Sequence, residues 1–196
     1  MKVRKDRRTE ERAKGIKLLM LDVDGVLTDG TIHLSTSGGE TKVFHVRDGY
    51  GLKLLMESGI DVALVSGRES RVVENRAGEL GIRLVFQGVK DKEAVCRELL
   101  QQRALQKEEV ASIGDDLPDF SLFAFSGVRI AVADAAGELL EAADVITERK
   151  GGYGAVREVC EWILKLQGKW FEAIDRSTGN RGPARRVGSP SEARTK

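Results

Sequence analysis

The run Leu18-Leu19-Met20-Leu21-Asp22-Val23-Asp24-Gly25-Val26-Leu27-Thr28 limits what this chain can become more than any other segment. Its apolar start suits a buried strand, and the strand stops at two acids one residue apart, followed by glycine. Burying one carboxylate is costly, and burying two without a cation is worse. A divalent cation is the natural partner, and Mg²⁺ favours hard oxygen ligands of this kind. The same letters also describe a strand running out into a solvated Asp turn, so the remaining segments must decide.

Those segments alternate between strand-like and helix-like patterns, which predicts an α/β fold with a mostly parallel central sheet flanked by helices. Strands are expected at Lys17–Leu21, Val62–Val65, Leu84–Phe86, Val110–Ile113, Val128–Val132 and Val145–Ile146. Helices are expected at Gly51–Ser58, from Ser70 to Leu80, from Asp91, near Asp119–Ala124, at Glu138–Ala142 and at Ala155–Leu166. Ser70 reads as an N-cap, and Gly59 and Gly81 as helix stops. Thr31–Leu34 and Lys42–Val46 read as a hairpin turning at Ser37-Gly38-Gly39.

In open α/β sheets the reacting groups gather at the carboxyl ends of the strands. Here those ends carry Asp22 and Asp24, then Ser66-Gly67-Arg68, then Lys92 at a helix start, then Gly114-Asp115-Asp116. Taken singly, each has an ordinary reading as a turn, a cap or a solvated lysine. Their joint order suits phosphoryl transfer. Asp22 can attack phosphorus, and Mg²⁺ on Asp22 and Asp115 can orient the phosphate. Asp24 can serve as acid and then base, while Ser66, the backbone near Gly67 and Lys92 hold phosphate oxygens.

At this point the chain resembles a known family. Asp22-x-Asp24-Gly25-Val26-Leu27-Thr28, Ser66-Gly67-Arg68, Lys92 and Gly114-Asp115-Asp116-x-x-Asp119 look like the four motifs of the haloacid dehalogenase superfamily. Val46-Arg47-Asp48-Gly49-Tyr50-Gly51, Ala131–Ala135 and Gly151–Cys160 narrow the resemblance to the 3-deoxy-D-manno-octulosonate 8-phosphate phosphatases. The likeness spans about Lys17 to Ala173. It implies a Rossmann-like fold with a short hairpin in place of a cap domain. It implies Mg²⁺ held by the Asp22 side chain, the Asp24 carbonyl and Asp115, with Asp116 and Asp119 supporting. It further implies a sugar-acid phosphate substrate on the route to lipopolysaccharide and a homotetramer in which hairpins close neighbouring sites. Gly151–Gly154 would form a mobile lid, although Tyr153 stands where the family commonly has Arg. Arg47, Arg68 and Arg157 are further candidates for substrate anions.

Composition narrows the field. The 196 residues are 41% hydrophobic and 32% charged, with formal net charge +1, so no global field favours nucleic acid or an acidic membrane. Cys96 and Cys160 lie in apolar helical patterns and read as core residues of a reducing compartment. No stretch reaches membrane-spanning length and the N-terminus lacks a signal-peptide core, so the expected compartment is the cytoplasm. Residues 1–15 read as a charged, solvated extension, 16–173 as the catalytic domain and 174–196 as a disordered tail. His33, His45, Trp162, Trp170 and Phe171 read as packing or surface residues. Three rivals stand beside the eight-carbon phosphatase. A receiver-type switch would place its acceptor Asp on a later strand; a non-catalytic oligomerisation module would lose motif members; a nine-carbon sugar-acid phosphatase would keep them all.

Overall fold

The computed structural model describes residues 1–3, 7–36 and 38–178. In chain order its elements are β1 (Lys2–Val3), α1 (Arg7–Lys14), β2 (Leu18–Leu21), β3 (His33–Leu34), β4 (Glu40–Thr41), α2 (Val46–Glu57), β5 (Asp61–Val65), α3 (Arg71–Leu80) and β6 (Leu84–Phe86). There follow α4 (Lys92–Gln102), β7 (Val110–Gly114), α5 (Phe120–Ala124), β8 (Val128–Ala131), α6 (Gly137–Ala142), β9 (Val145–Ile146), α7 (Ala155–Leu166) and α8 (Trp170–Thr178). Short 3₁₀ turns precede β7 at Lys107–Glu109 and α5 at Leu117–Asp119.

The main sheet has the order β1-β9-β8-β7-β2-β5-β6, parallel throughout except for β1 against β9. β2 lies between β5 and β7 and is buried along its whole length. Its side chains divide between two cores, as alternation in a strand requires. Leu19 and Leu21 join one, with α2 and α7 residues such as Leu52, Leu55, Val159 and Ile163. Leu18 and Met20 join the other, with Cys96, Leu99 and Leu122 from α4 and α5. Each such fully buried side chain contributes about 1.5–3 kcal/mol. Register then fixes the rim: Leu21 is level with Leu64 and Ile113, so Asp22, Ser66 and Asp115 emerge at the same edge.

The predicted strand and helix positions hold, with two differences around the hairpin. Its strands are only His33–Leu34 and Glu40–Thr41, and Ser37 of the expected turn lies outside the described residues. Residues 42–45 are not strand, and α2 begins at Val46, five residues before the expected start. Gly49 and Gly51 argue locally against a helix there. Tertiary contact overrides them: the buried Asp48 carboxylate accepts the backbone N–H groups of Gly154 (3.1 Å) and Arg157 (2.7 Å), binding α2 to the start of α7.

The ends also correct the sequence reading. The described part of residues 1–15 is docked on the domain rather than a free extension. β1 extends the sheet at β9, Thr9 and Ala13 are buried, and the Gln167 side chain donates to the carbonyls of Ala13 and Ile16. The charges of α1 hide a narrow stripe, one turn apart, that α7 covers. At the other end α8 continues through residue 173 to Thr178, with Ala173 fully buried. The rest of the expected tail, residues 179–196, lies outside the described residues. Cys96 and Cys160 are free and buried. His33 is exposed, whereas His45 sits before α2 rather than on the hairpin. Trp162 and Trp170 pack against the larger core; Phe171 is exposed. No helix among the described residues is long and apolar enough to cross a membrane.

Burial pushes the Asp48 carboxyl above its usual range, opposed by the bonds from Arg157 and Gly154. Asp48→Ala should therefore unfasten α2 from α7 and leave two backbone donors without their acceptor. The expected cost is about 2–4 kcal/mol, seen as a melting temperature lowered by at least about 5 °C.

Candidate active site

Asp22 follows the last residue of β2, and its N–H donates to the Ile113 carbonyl (3.2 Å). Lys92 is the first residue of α4, a helix capped by Asp91, whose side chain accepts from the Ala94 N–H (3.0 Å). That cap aims the buried Lys92 ammonium at two carboxylates, Asp22 Oδ1 at 2.6 Å and Asp119 Oδ1 at 2.8 Å. Asp119, also buried, closes the turn after β7: its Oδ2 accepts the N–H groups of Asp115 (3.0 Å) and Asp116 (3.4 Å). Carboxylate oxygens of Asp22, Asp115 and Asp119 all lie within 4.8 Å of one another.

Three carboxylates face one ammonium, so full ionisation leaves two negative charges uncompensated. The titration behaviour follows. Burial, reinforced by the charge of Asp119, raises the Asp22 carboxyl to about 7. Burial, then the charges of Asp119 and Asp22, raises Asp115 to about 8. For Lys92, burial pulls downward, but the Asp22 and Asp119 carboxylates outweigh it and hold the ammonium above its usual range. An all-oxygen donor set short of two positive charges fits a hard divalent cation. The Asp119 carboxylate is already engaged by Lys92 and two backbone amides, which leaves Asp22 and Asp115 better placed to donate.

The loop after β2 is moulded to this cluster. Gly25 has φ +89°, and a Cβ there would lie 2.0 Å from Asp115 Oδ2. Behind it, a Cβ on Gly151 would lie 1.6 Å from the Gly25 carbonyl oxygen. Gly152 N–H donates to Val26 O (2.9 Å) and Gly151 N–H to Asp134 Oδ1 (3.0 Å). In this chain Gly151 and Gly152 of that segment pack against the loop after β2, and the lack of side chains lets the two backbones touch. Tyr153, by contrast, is exposed.

Asp22, Asp24, Ser66, Gly67, Arg68, Lys92, Asp115, Asp116, Pro118 and Asp119 line one cavity of about 300 Å³. Ser66 is buried and its Oγ accepts the Arg68 N–H (3.2 Å). Asp116 is exposed and caps its own turn through the Leu117 N–H (2.8 Å). Two of the sequence candidates are not brought here. Arg47 and Arg157 line a different cavity, of about 330 Å³, with Arg149, Glu158 and Glu161. Arg157 is held by Glu161 (2.8 Å), one helical turn on, and lies over the rings of Tyr50 and Trp170. Sequence reasoning missed Lys42 and Glu40. Lys42 contacts Asp24, and Glu40 accepts from the Ser70 hydroxyl. A Glu-x-Lys spacing in a hairpin is too common to have marked them.

A mostly parallel sheet with an acid at the tip of an interior strand, a lysine at a helix start and further acids on the turn after the neighbouring strand defines the haloacid dehalogenase-like hydrolase class. Residues 82–158 match the family described as haloacid dehalogenase-like hydrolase. The 3-deoxy-D-manno-octulosonate 8-phosphate phosphatase of Yersinia pestis is 50% identical over 159 residues, 81% of this chain and 85% of the relative. The enzyme of that name from Moraxella catarrhalis, solved in complex with magnesium ion, phosphate ion and KDO, superposes with TM-score 0.83 at 43% identity, covering 86% of this chain and 97% of that one. The cobalt-bound deoxy-D-mannose-octulosonate 8-phosphate phosphatase of Haemophilus influenzae gives TM-score 0.80 at 43% identity, covering 86% and 98%. The chain belongs to the 3-deoxy-D-manno-octulosonate 8-phosphate phosphatase family.

The raised carboxyls carry a pH signature. An acid harder to ionise in the folded chain than in the unfolded one favours folding while protonated. For Asp22 and Asp115 that advantage is complete below about pH 4 and is lost as pH rises through 7 to 8. In chelator, the melting temperature should fall between about pH 5.5 and about pH 8.5. Asp115→Asn should flatten the fall, and added Mg²⁺ should offset it most at the alkaline end.

Proposed function

We propose that this chain is a Mg²⁺-dependent phosphomonoester hydrolase that converts 3-deoxy-D-manno-octulosonate 8-phosphate to the free sugar acid and phosphate. The observation that carries this reading is the convergence of Asp22, Lys92, Asp115 and Asp119 on one cavity. Relatives that bear the name of this activity support the choice of substrate.

Asp22 and Asp115 through their side chains, and Asp24 through its carbonyl, would hold the Mg²⁺, with Asp119 and Asp116 bracing the turn that carries Asp115. Bound there, the ion supplies charge neutralisation at the phosphate oxygens. The free oxygen of Asp22 attacks phosphorus; the P–O bond to the sugar breaks, and Asp24 gives its proton to the departing alkoxide. Asp24 then takes a proton from water, which attacks the aspartyl phosphate and releases phosphate with Asp22 regenerated. Lys92, at 2.6 Å from Asp22, opposes the rise that burial imposes on the nucleophile's carboxyl and faces the phosphate as a point charge. The Ser66 hydroxyl and the backbone at Gly67 bind phosphate oxygens. Arg68, on the rim of the same cavity, takes the role of substrate cation that the sequence also offered to Arg47 and Arg157.

The protein works as a homotetramer in the cytoplasm, supplying sugar acid for lipopolysaccharide. Leu34 (74% exposed), Val43 (64%) and Val46 (78%) on and beside the hairpin support the assembly, because a second chain would cover them.

Purified protein should release phosphate from the eight-carbon sugar-acid phosphate with Mg²⁺ and not with chelator. Asp22→Asn should lower turnover by at least about 1,000-fold while leaving the chain folded. Preference for a nine-carbon acid phosphate in the same panel would reassign the substrate, and near-normal turnover by Asp22→Asn would remove the nucleophile.

A further inference from the structure

We propose that Lys42 is a positioning residue for Asp24, a buried hairpin lysine that fixes the direction in which the acid–base carboxylate points. The inference rests on the phosphatase reading above.

The hairpin gives no packing reason for burying a lysine. His33, Leu34 and Thr41 on its strands are exposed. Yet the Lys42 side chain, next after β4, has 0% exposure. Lysine is seldom fully buried unless paired, because an ammonium out of water is costly without a counter-charge. The partner is Asp24, whose Oδ1 contacts the Lys42 ammonium directly. Glu40 Oε1, on the same inward side of the hairpin, lies 3.8 Å from that ammonium. Glu40 is itself held by the Ser70 hydroxyl at the cap of α3 and lies 3.7 Å from Arg68. The hairpin is thus fastened to the site's rim by charged contacts.

The two oxygens of Asp24 are treated unequally. Oδ1 is fixed by the buried Lys42, whereas Oδ2 faces the half-exposed Arg68 at 3.9 Å, a long and screened contact. Oδ2 is therefore the oxygen free to meet the leaving group. Lys42 does not line the cavity, so it acts on the reaction through Asp24. Its effect should fall on the step that needs the Asp24 proton in place. An alkyl phosphate, whose alkoxide is a poor leaving group, needs that proton. p-Nitrophenyl phosphate, which releases a stabilised phenolate, does not need it when Asp22 is phosphorylated.

The test uses the full chain with Mg²⁺ and compares wild type, Lys42→Met and Lys42→Arg. Single-turnover cleavage of the sugar-acid phosphate is measured beside the pre-steady-state burst of p-nitrophenolate. Lys42→Met should slow alkyl-ester cleavage by at least about 100-fold, with the burst rate changed by less than about threefold. Lys42→Arg should recover part of the loss. In an Asp24→Asn background, adding Lys42→Met should cost less than about threefold further. That double variant leaves no unpaired charge, and it keeps the test available should Lys42→Met alone not fold. Equal losses on both esters, a full additional loss in the Asp24→Asn background, or unchanged alkyl-ester cleavage would each overturn the proposal. A wild-type chain that hydrolyses neither ester would instead overturn the phosphatase reading.

Discussion

The interaction on which the site depends is the contact of one buried ammonium with two buried carboxylates. From the start of α4, Lys92 reaches Asp22 at the tip of β2 and Asp119 on the turn after β7, joining three segments of the rim. Without the lysine, three acids would crowd a space shielded from water. With it, the cluster still lacks two positive charges, and that deficit prepares it for a divalent cation. The charge imbalance persists because β2 is paired on both sides, with β5 and β7, and that frame keeps the acids from moving apart.

Backbone contact shapes the site as strongly as charge does. The loop after β2 turns at Gly25 directly beneath Asp115, and Gly151 closes against that turn from behind. Two pieces of chain more than a hundred residues apart meet there without side chains between them. Stiffness at this place suits the proposed reaction, in which Asp22 would serve as both ligand and nucleophile and small misplacements are costly. The exposed Tyr153 and the apolar residues beside the hairpin are the surfaces left for other work.

The hairpin connects this centre to the outside. Its inward face carries Glu40 and Lys42 to the rim, and its flanks expose Leu34, Val43 and Val46. An assembly that covers the apolar flanks would also steady the lysine that contacts Asp24. Closure of the site and the position of Asp24 would then follow from one small element, with no separate cap domain among the described residues.

The sequence by itself determined the alternation of strands and helices, the cap at Ser70 and the order of the acids and lysine along the rim. These are local properties: periodicity, cap chemistry and the residue that ends each strand are all written in neighbouring letters. Tertiary structure alone decided four things. It docked the charged α1 through Thr9 and Ala13, because α7 packs against that helix. It started α2 before its glycines, because Asp48 is bound to the start of α7. It moved Arg47 and Arg157 away from the carboxylates, because Glu161, Tyr50 and Trp170 hold Arg157 elsewhere. It brought Lys42 to Asp24 across a hairpin whose letters give no sign of it. Each of these depends on which distant groups share a low-dielectric space, and linear order does not contain that information.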